Sequence, residues 1–350
     1  MKRALRTVVA AGTVAALVAG CSLSGNTGND PQAPATVTLV THDSWLAPQE
    51  VLDAFERQSG IKISVLKQGD AGALTNKLVL TKANPIGDVA YGIDSTFASR
   101  ALTEGVFEQY TSPEADRGPQ RYSVDPGHRL SAVDLGDVCV NIDTRYFVDK
   151  GIPEPKSFAD LTDAKYKDLM VAESPATSSP GLAFLLGTVA QFGEQGWQGY
   201  WTQLKANGLK TVSGWEEAYT KEFSGSSGKG PRPIVVSYAS SPAAEIGDDG
   251  KPRTKALLDT CYRQVEYAGV LAGGKQVEKA RKVVDFLLSQ QFQVTVAGNM
   301  YVYPARQGVE LPQGWAQAAP LPQQPKTLEP AKIQAGREQW IAQWRTLLEG

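Results

Sequence analysis

Short runs in which every second position is apolar alternate along this chain with longer runs in which apolar residues recur every three or four positions. "TVTLVT" (Thr36 to Thr41) has the period of a strand, and "PQEVLDAFERQSG" sets Val51, Leu52 and Phe55 on one helical face before Gly60. "IKISVL" is the next strand, followed by a helix through "GALTNKLVLTKA", a strand at "GDVAYG" and a helix through "STFASRALTEG". Strands separated by helices of this length predict a parallel sheet, and so an α/β lobe.

A second series begins at Ser157. It reads as a helix near "SFADLTDAKYKD", strand "LMVAES", helices "SPGLAFLLGTVAQFG" and "GWQGYWTQLKANG", strand "KTVS", a helix in "VSGWEEAYTKEF", strand "PIVVSYA" and a helix from Pro242. This predicts a second α/β lobe, residues 137–264, inserted into a first made of residues 36–136 and 265–350. The runs "SAVDLGDVCVNID" and "CYRQVEYAGVLAG" lie at the junctions. Paired as antiparallel strands near 136–142 and 261–268, they would form a two-stranded hinge. The chain then returns to helix at "GKQVEKARKVVDFLLSQ" and ends on "PAKIQAGREQWIAQWRTLLE", where Trp340 and Trp344, four apart, are expected to dock on lobe one. The length of 350 residues suits about two domains of roughly 150 residues each.

The first residues follow a different pattern. Lys2, Arg3 and Arg6 precede an uncharged apolar run from Thr7 to Ala19, then Gly20 and Cys21. That run has the length of a signal-peptide core and is shorter than the roughly 20 apolar residues of a spanning helix. Val18-Ala19-Gly20-Cys21 resembles the bacterial lipobox, so residues 1–20 read as a lipoprotein signal peptide and Cys21 as the acylated new N-terminus. An ordinary signal cut near Ala19 is the alternative. The polar, Gly- and Asn-rich residues 21–35 then read as a tether. The protein is therefore expected to be exported and held by lipid on the outer face of the cell membrane.

The formal net charge is −2, and loss of the basic leader makes the remainder more acidic, which argues against a nucleic-acid partner. Cys139 and Cys261 remain beside Cys21. In an oxidising compartment an even pair inside strand-like runs predicts a disulfide, with two buried free thiols as the alternative.

Two short signatures, "TSSPGL" (Thr177 to Leu182) and "ASSPAAE" (Ala239 to Glu245), place Ser-Ser before a Pro at a helix start. Helix starts can hold anions, although ordinary capping explains each signature taken alone. Near them in the pattern stand Trp215, Tyr219, Tyr238, Tyr301 and Tyr303. Three aspartates follow strands: Asp43, Asp70 and Asp94. Each aspartate is also a reasonable cap or turn residue, while aromatic faces with a carboxylate suit an organic cation. Enzyme signatures are thin. The chain has two histidines, His42 and His128, and no G-x-S-x-G, H-E-x-x-H or C-x-x-C pattern, so neither a catalytic triad nor a metal site is expected.

The segments "VTHDSW", "GDAGALTNKL", "GDVAYGID", "PATSSPGL", "VSGWEEAY", "VVSYASSPA", "YRQVEYA", "GNMYVYPA" and "REQWIAQW" occur in the order in which the thiamine-binding substrate-binding proteins of bacterial ABC importers carry them. The chain resembles that family over essentially its whole length after the leader. The resemblance implies a type II periplasmic-binding-protein-like fold, in which two lobes, each a mixed sheet flanked by helices, close on thiamine or its phosphate esters. It further implies a monomer that hands its ligand to a permease and its ATPase, with no cofactor and no catalysis. The family's ligand contacts fall on Asp70, Ser178, Trp215 and Tyr238, and the "THDSW" segment adds His42 and Asp43. Three positions depart from the family pattern. His42 and Ala244 replace aromatic residues, and Tyr301 before Val302 replaces a Trp, so His42 and Tyr301 are expected to supply the remaining ring faces. Other small ligands fit the same reading: a polyamine, a phosphate ester, or a ferric iron–anion complex held by Tyr238, Tyr301 and Tyr303. From a different class comes a lipid-anchored hydrolase using Ser178 or Ser240.

Overall fold

The computed structural model describes residues 34–350; the expected signal peptide, the expected lipidation site Cys21 and all but the end of the expected tether lie outside them. Among the described residues eleven strands build two sheets. They are β1 (Ala35–Thr41), β2 (Ile61–Lys67), β3 (Val89–Asp94), β4 (Ser131–Leu135), β5 (Val138–Asp143), β6 (Met170–Glu173), β7 (Lys210–Val212), β8 (Ile234–Tyr238), β9 (Thr254–Tyr262), β10 (Val265–Val270) and β11 (Tyr303–Pro304). Lobe one has the order β11-β4-β10-β3-β1-β2, and lobe two β7-β6-β8-β5-β9. In lobe one β1 runs parallel to β2 and β3, while β10 is antiparallel to β3 and β4. Both sheets are mixed, and helices cover their faces.

The chain passes between the sheets twice, from β4 to β5 through Gly136 and Asp137 and from β9 to β10 through Arg263 and Gln264. The two passages are tied together. Arg263 forks onto the buried Asp137 carboxylate, with Nη2 donating to Oδ2 at 3.0 Å, and Gly136 N–H donates to Gln264 O at 3.2 Å. One strand beyond, Cys139 and Cys261 form a disulfide with their Cα atoms 4.1 Å apart, between β5 and β9. The free-thiol alternative is thereby removed.

Several helices differ from the sequence pattern. The stretch from Ser157 forms two short 3₁₀ turns, Asp160–Thr162 and Ala164–Tyr166, because the Asp160 and Asp163 carboxylates accept from nearby backbone N–H groups and so favour turns over a continuous helix. The residues after Ser240 likewise make one 3₁₀ turn, Ser241–Ala244. The two helices expected between Ser179 and Ala206 are both present, and they meet at Gly193, whose non-helical φ of 72° is a conformation that glycine adopts without strain. After Trp215–Glu217 the coil widens to a π-helical segment, Ala218–Glu222, closed by Phe223 N–H donating to Ala218 O at 3.0 Å.

The C-terminal helix, Pro330–Leu348, corrects an expectation. Trp344 is fully buried and meets Trp201 edge-on at 5.7 Å, and Trp340 Nε1 donates to Glu194 at 2.9 Å. Ile333, Trp340, Ile341 and Trp344 complete the core of lobe two, not of lobe one. Arg337 on the same helix reaches Ser99 Oγ of lobe one at 3.1 Å, so the helix also bridges the lobes. Residues 265–350 therefore do not all belong to lobe one.

Candidate functional site

A cavity of about 520 Å³ opens between the lobes beside the crossover strands. Its size lies within the range of small-molecule sites. The end of β1, the turn after β2 and the segment after Met300 come from lobe one, and Thr177, the Ser213–Lys221 segment, Tyr238 and Ser241 come from lobe two.

The lobe-one rim is built on a clasped turn. Asp43 is exposed; its backbone N–H donates to Gly69 O at 2.8 Å and its Oδ1 accepts from Gly69 N–H at 2.9 Å. This fixes Gly69, which has φ of 75°, and presents Asp70 as the N-cap of the helix Ala71–Leu80. Asp70 does more than cap. Oδ1 accepts from Ala71 N–H at 2.6 Å and from Ser179 N–H at 3.2 Å, and Oδ2 accepts from Trp215 N–H at 3.0 Å. One carboxylate thus holds the start of its own helix and two backbone amides of the opposite lobe. Ala73 N–H donates to Thr177 O at 3.1 Å in the same seam. Gly72 allows this approach, because a Cβ there would lie 2.7 Å from the Thr177 carbonyl carbon.

Aromatic rings form the lobe-two wall. Trp215 stacks on Tyr219 at 4.9 Å and 15°, and meets Tyr238 at 6.2 Å. Its indole Nε1 donates to Ser237 Oγ at 2.9 Å, and Tyr219 OH donates to Glu245 at 3.1 Å, so both rings are held in place. Tyr238 sits against Gly136, where a Cβ would fall 2.8 Å from the ring. Tyr301, with φ of 53°, closes the side of the cavity. Its carbonyl accepts from Ser240 Oγ across the lobes at 2.5 Å, and its ring stacks on Trp315 at 6.2 Å.

Acidic groups form the floor. His42 Nε2 lies 3.4 Å from Glu266 Oε2, and both side chains are nearly buried. Tyr91 OH stands between Glu266, at 3.0 Å, and Asp134, in short contact. Burial pushes Asp134 well above the usual carboxylate range, and nearby Glu266 adds to the effect. Burial also opposes ionisation of Glu266, but the attraction of His42 and hydrogen bonds from His42 and Tyr91 outweigh it, so Glu266 is held below its ordinary value. Burial disfavours charge on His42 as well; Glu266, with Asp70 and Asp134 behind it, reverses the balance and raises its pKa. Together with Asp43, Asp70, Glu216 and Glu217 at the rim, against Lys221, this makes the cavity a site for positive charge.

The structure brings His42, Asp43, Asp70, Trp215, Tyr238 and Tyr301 to one cavity. Ser178 does not join them. It is fully buried, with its hydroxyl turned back to accept from Gly181 N–H at 3.4 Å, as a cap of its own helix. Its neighbour Thr177 lines the cavity instead. Asp94 is buried beneath, against Ser179 and Thr96. Tyr303 points away, donating to Ala319 O, so it does not join Tyr238 and Tyr301 as the iron reading required. Among the described residues no group of three His, Cys, Asp or Glu is placed to hold a metal. His42 pairs with Glu266, while Ser178 caps its own helix and Ser240 donates to Tyr301 O, so His42 is not paired with either serine.

Sequence reading missed Glu266, Asp134 and Tyr91. The available signal was an acid inside each of two otherwise apolar strand runs, "SAVDL" and "VEYAGV", where a buried carboxylate needs a reason.

A family model described as bacterial extracellular solute-binding protein matches residues 84–334. The chain belongs to this family. It is an exported solute-binding protein and not an enzyme. Among similar proteins, the thiamine-binding periplasmic protein of Escherichia coli strain K12 is 29% identical over 327 residues, covering 89% of this chain and 93% of its own. That of Brucella suis biovar 1 is 28% identical over 326 residues, covering 89% and 92%. The solved structure of a periplasmic thiamin binding protein superposes with a TM-score of 0.76 at 28% identity, over 89% of this chain and 96% of that one. Iron-bound HitA from Pseudomonas aeruginosa, at 19% identity and a TM-score of 0.72 over 90% and 99%, shares the fold.

Proposed function

We propose that this protein captures thiamine in the cleft between its lobes and delivers it to the permease of an ABC importer. The observation that carries the reading is the pairing of aromatic faces, Trp215, Tyr238 and Tyr301, with a buried carboxylate, Glu266, in one cavity. A flat organic cation needs that combination: ring faces to stack on and a fixed negative charge in a low-dielectric setting. The names of the relatives point to the same ligand.

In this reading Trp215 and Tyr238 form one wall for the ligand rings, and Tyr301 and His42 the other side. Asp43 shapes the rim, Asp70 draws the lobes together, and Ser178 holds the helix start behind Thr177. The Asp70 carboxylate already occupies the amides of Ala71, Ser179 and Trp215, the groups that would otherwise receive a phosphate. This favours free thiamine over its phosphate esters. Acylated Cys21 would hold a monomeric protein at the outer face of the membrane beside its permease and ATPase.

Calorimetry tests the reading directly. Thiamine is expected to bind one to one with a change in tryptophan fluorescence, and more tightly than its esters. Saturation by spermidine or a ferric iron–anion complex, with no heat from thiamine or its phosphates, would overturn it. For the anchor, Cys21→Ser is expected to release the protein from the membrane fraction.

A further inference from the structure

The floor of the cleft and the layer buried behind it hold two carboxyl groups, one phenol and one imidazole: Glu266 and His42 line the cavity, Asp134 and Tyr91 lie behind them, and their proton count is constrained. Tyr91 OH lies within reach of both Asp134 and Glu266, yet a hydroxyl carries one proton. The chain of contacts closes when Asp134 keeps its proton and donates to the Tyr91 oxygen, while Tyr91 donates to ionised Glu266. The strongly raised Asp134 and lowered Glu266 agree with that assignment. Glu266 is then the one negative charge of the floor, and His42 Nε2, 3.4 Å away and otherwise without a hydrogen-bond partner, is the group that faces it.

His42 has little freedom to leave. Tyr91 packs on its ring at 5.6 Å, and the backbone of Gly92 lies beneath it, where a Cβ would come within 2.2 Å of Cδ2. The groups acting on it come from every neighbouring element: Glu266 on β10, Tyr91 on β3, Asp134 on β4 and Asp70 at the N-cap of the helix Ala71–Leu80.

We propose that the cleft works by charge exchange: an organic cation entering it replaces the proton on His42 as the counter-charge of Glu266. The inference rests on the reading of the ligand as thiamine. In the empty cleft the imidazolium balances Glu266. When the ligand's fixed positive charge arrives, two cations in a nearly buried space repel one another. The imidazolium gives up one ring proton to solvent, keeps its Nε2–H toward Glu266, and remains as a neutral ring that can stack. Glu266 thereby selects for positive charge, and His42 makes capture depend on pH.

The sign follows from linkage. Between the His42 pKa of the complex and that of the free protein, one proton leaves per ligand bound, so affinity rises up to about tenfold per pH unit and levels off above the free value.

The test uses NMR of the histidine rings in the leaderless protein without an affinity tag. With only His42 and His128 present, His42→Phe assigns the signals. In the free protein His42 is expected to titrate above its ordinary value of about 6.5. With saturating thiamine its pKa is expected to fall by at least one pH unit. The pH dependence of thiamine affinity should flatten in His42→Phe. If thiamine saturates one to one while the His42 titration stays where it was, the exchange is overturned and the ligand stands. If thiamine does not bind, the ligand reading falls and the exchange falls with it.

Discussion

Asp70 and Trp215 are 145 residues apart and belong to opposite lobes, and Asp70 Oδ2 accepts a 3.0 Å hydrogen bond from the Trp215 backbone N–H. With the bond from Ser179 N–H to the same carboxylate, this makes Asp70 a latch across the cleft. A hydrogen bond to a charged group contributes about 1.5–3 kcal/mol. Asp70→Ala is therefore expected to weaken thiamine binding about tenfold to a hundredfold, and to enlarge the ligand-free protein in small-angle scattering as the lobes separate. Unchanged affinity together with unchanged scattering would show that the latch contributes nothing to closure.

Asp94 sits in the same seam and gives a pH signature. Burial pushes its carboxyl up to about 6, against hydrogen bonds from Ser179 and Thr96 that favour the ionised form. The folded state then holds the proton more tightly than the unfolded chain. This contribution to stability is present below the unfolded value of about 4 and is lost as pH rises through about 6. A shift of two pH units corresponds to about 3 kcal/mol. Asp94→Asn keeps an acceptor for Thr96 N–H and offers an amide to the Ser179 hydroxyl, without the buried charge. Relative to the native protein, it should gain up to about 3 kcal/mol in urea unfolding between pH 4 and pH 7.5. An equal difference at the two pH values would remove Asp94 as the cause.

The Cys139–Cys261 bond spans 122 residues, nearly all of lobe two, and ties the strands beside both crossovers. Closing so long a loop stabilises by about 4–5 kcal/mol in the chain-entropy model. Denatured, unreduced protein should show neither thiol to a titrating reagent, and reduction should lower the midpoint of denaturation. Two titratable thiols would reject the bond.

Most strands were legible from short alternating or apolar runs, and the crossovers from the two cysteine-bearing runs, whereas β9 ahead of Cys261 and the two-residue β11 were not read. Elements set by partners were not. Trp340 and Trp344 announce a docking face but not its target, which only the meeting with Trp201 decides. Glu266 and Asp134 lie on β10 and β4, inside the sheet of lobe one with neighbours on both sides. There Asp134 is covered by Tyr91 and Glu266 of its own lobe, and Glu266 faces the cleft. Ser178 shows the reverse failure: its signature was capping and nothing more, and the residue beside it, Thr177, reaches the cavity.

Trp215 could have been core packing or cleft wall, since aromatic residues four apart on a helix usually face inward together. The widened coil after Glu217 leaves the pair stacked but unequal: Tyr219 is buried with its hydroxyl on Glu245, while the half-buried Trp215 keeps one face toward the cavity. Trp215→Ala should weaken thiamine binding by about 1–3 kcal/mol, the range of a stacking or cation–π contact, and shift the melting temperature little. Trp215→Phe retains a ring face but loses the bond to Ser237, so it should fall between the two. Calorimetry and thermal melts on the same samples separate the roles. A large fall in melting temperature with unchanged affinity would make Trp215 a packing residue and leave Tyr238 and Tyr301 to form the aromatic wall.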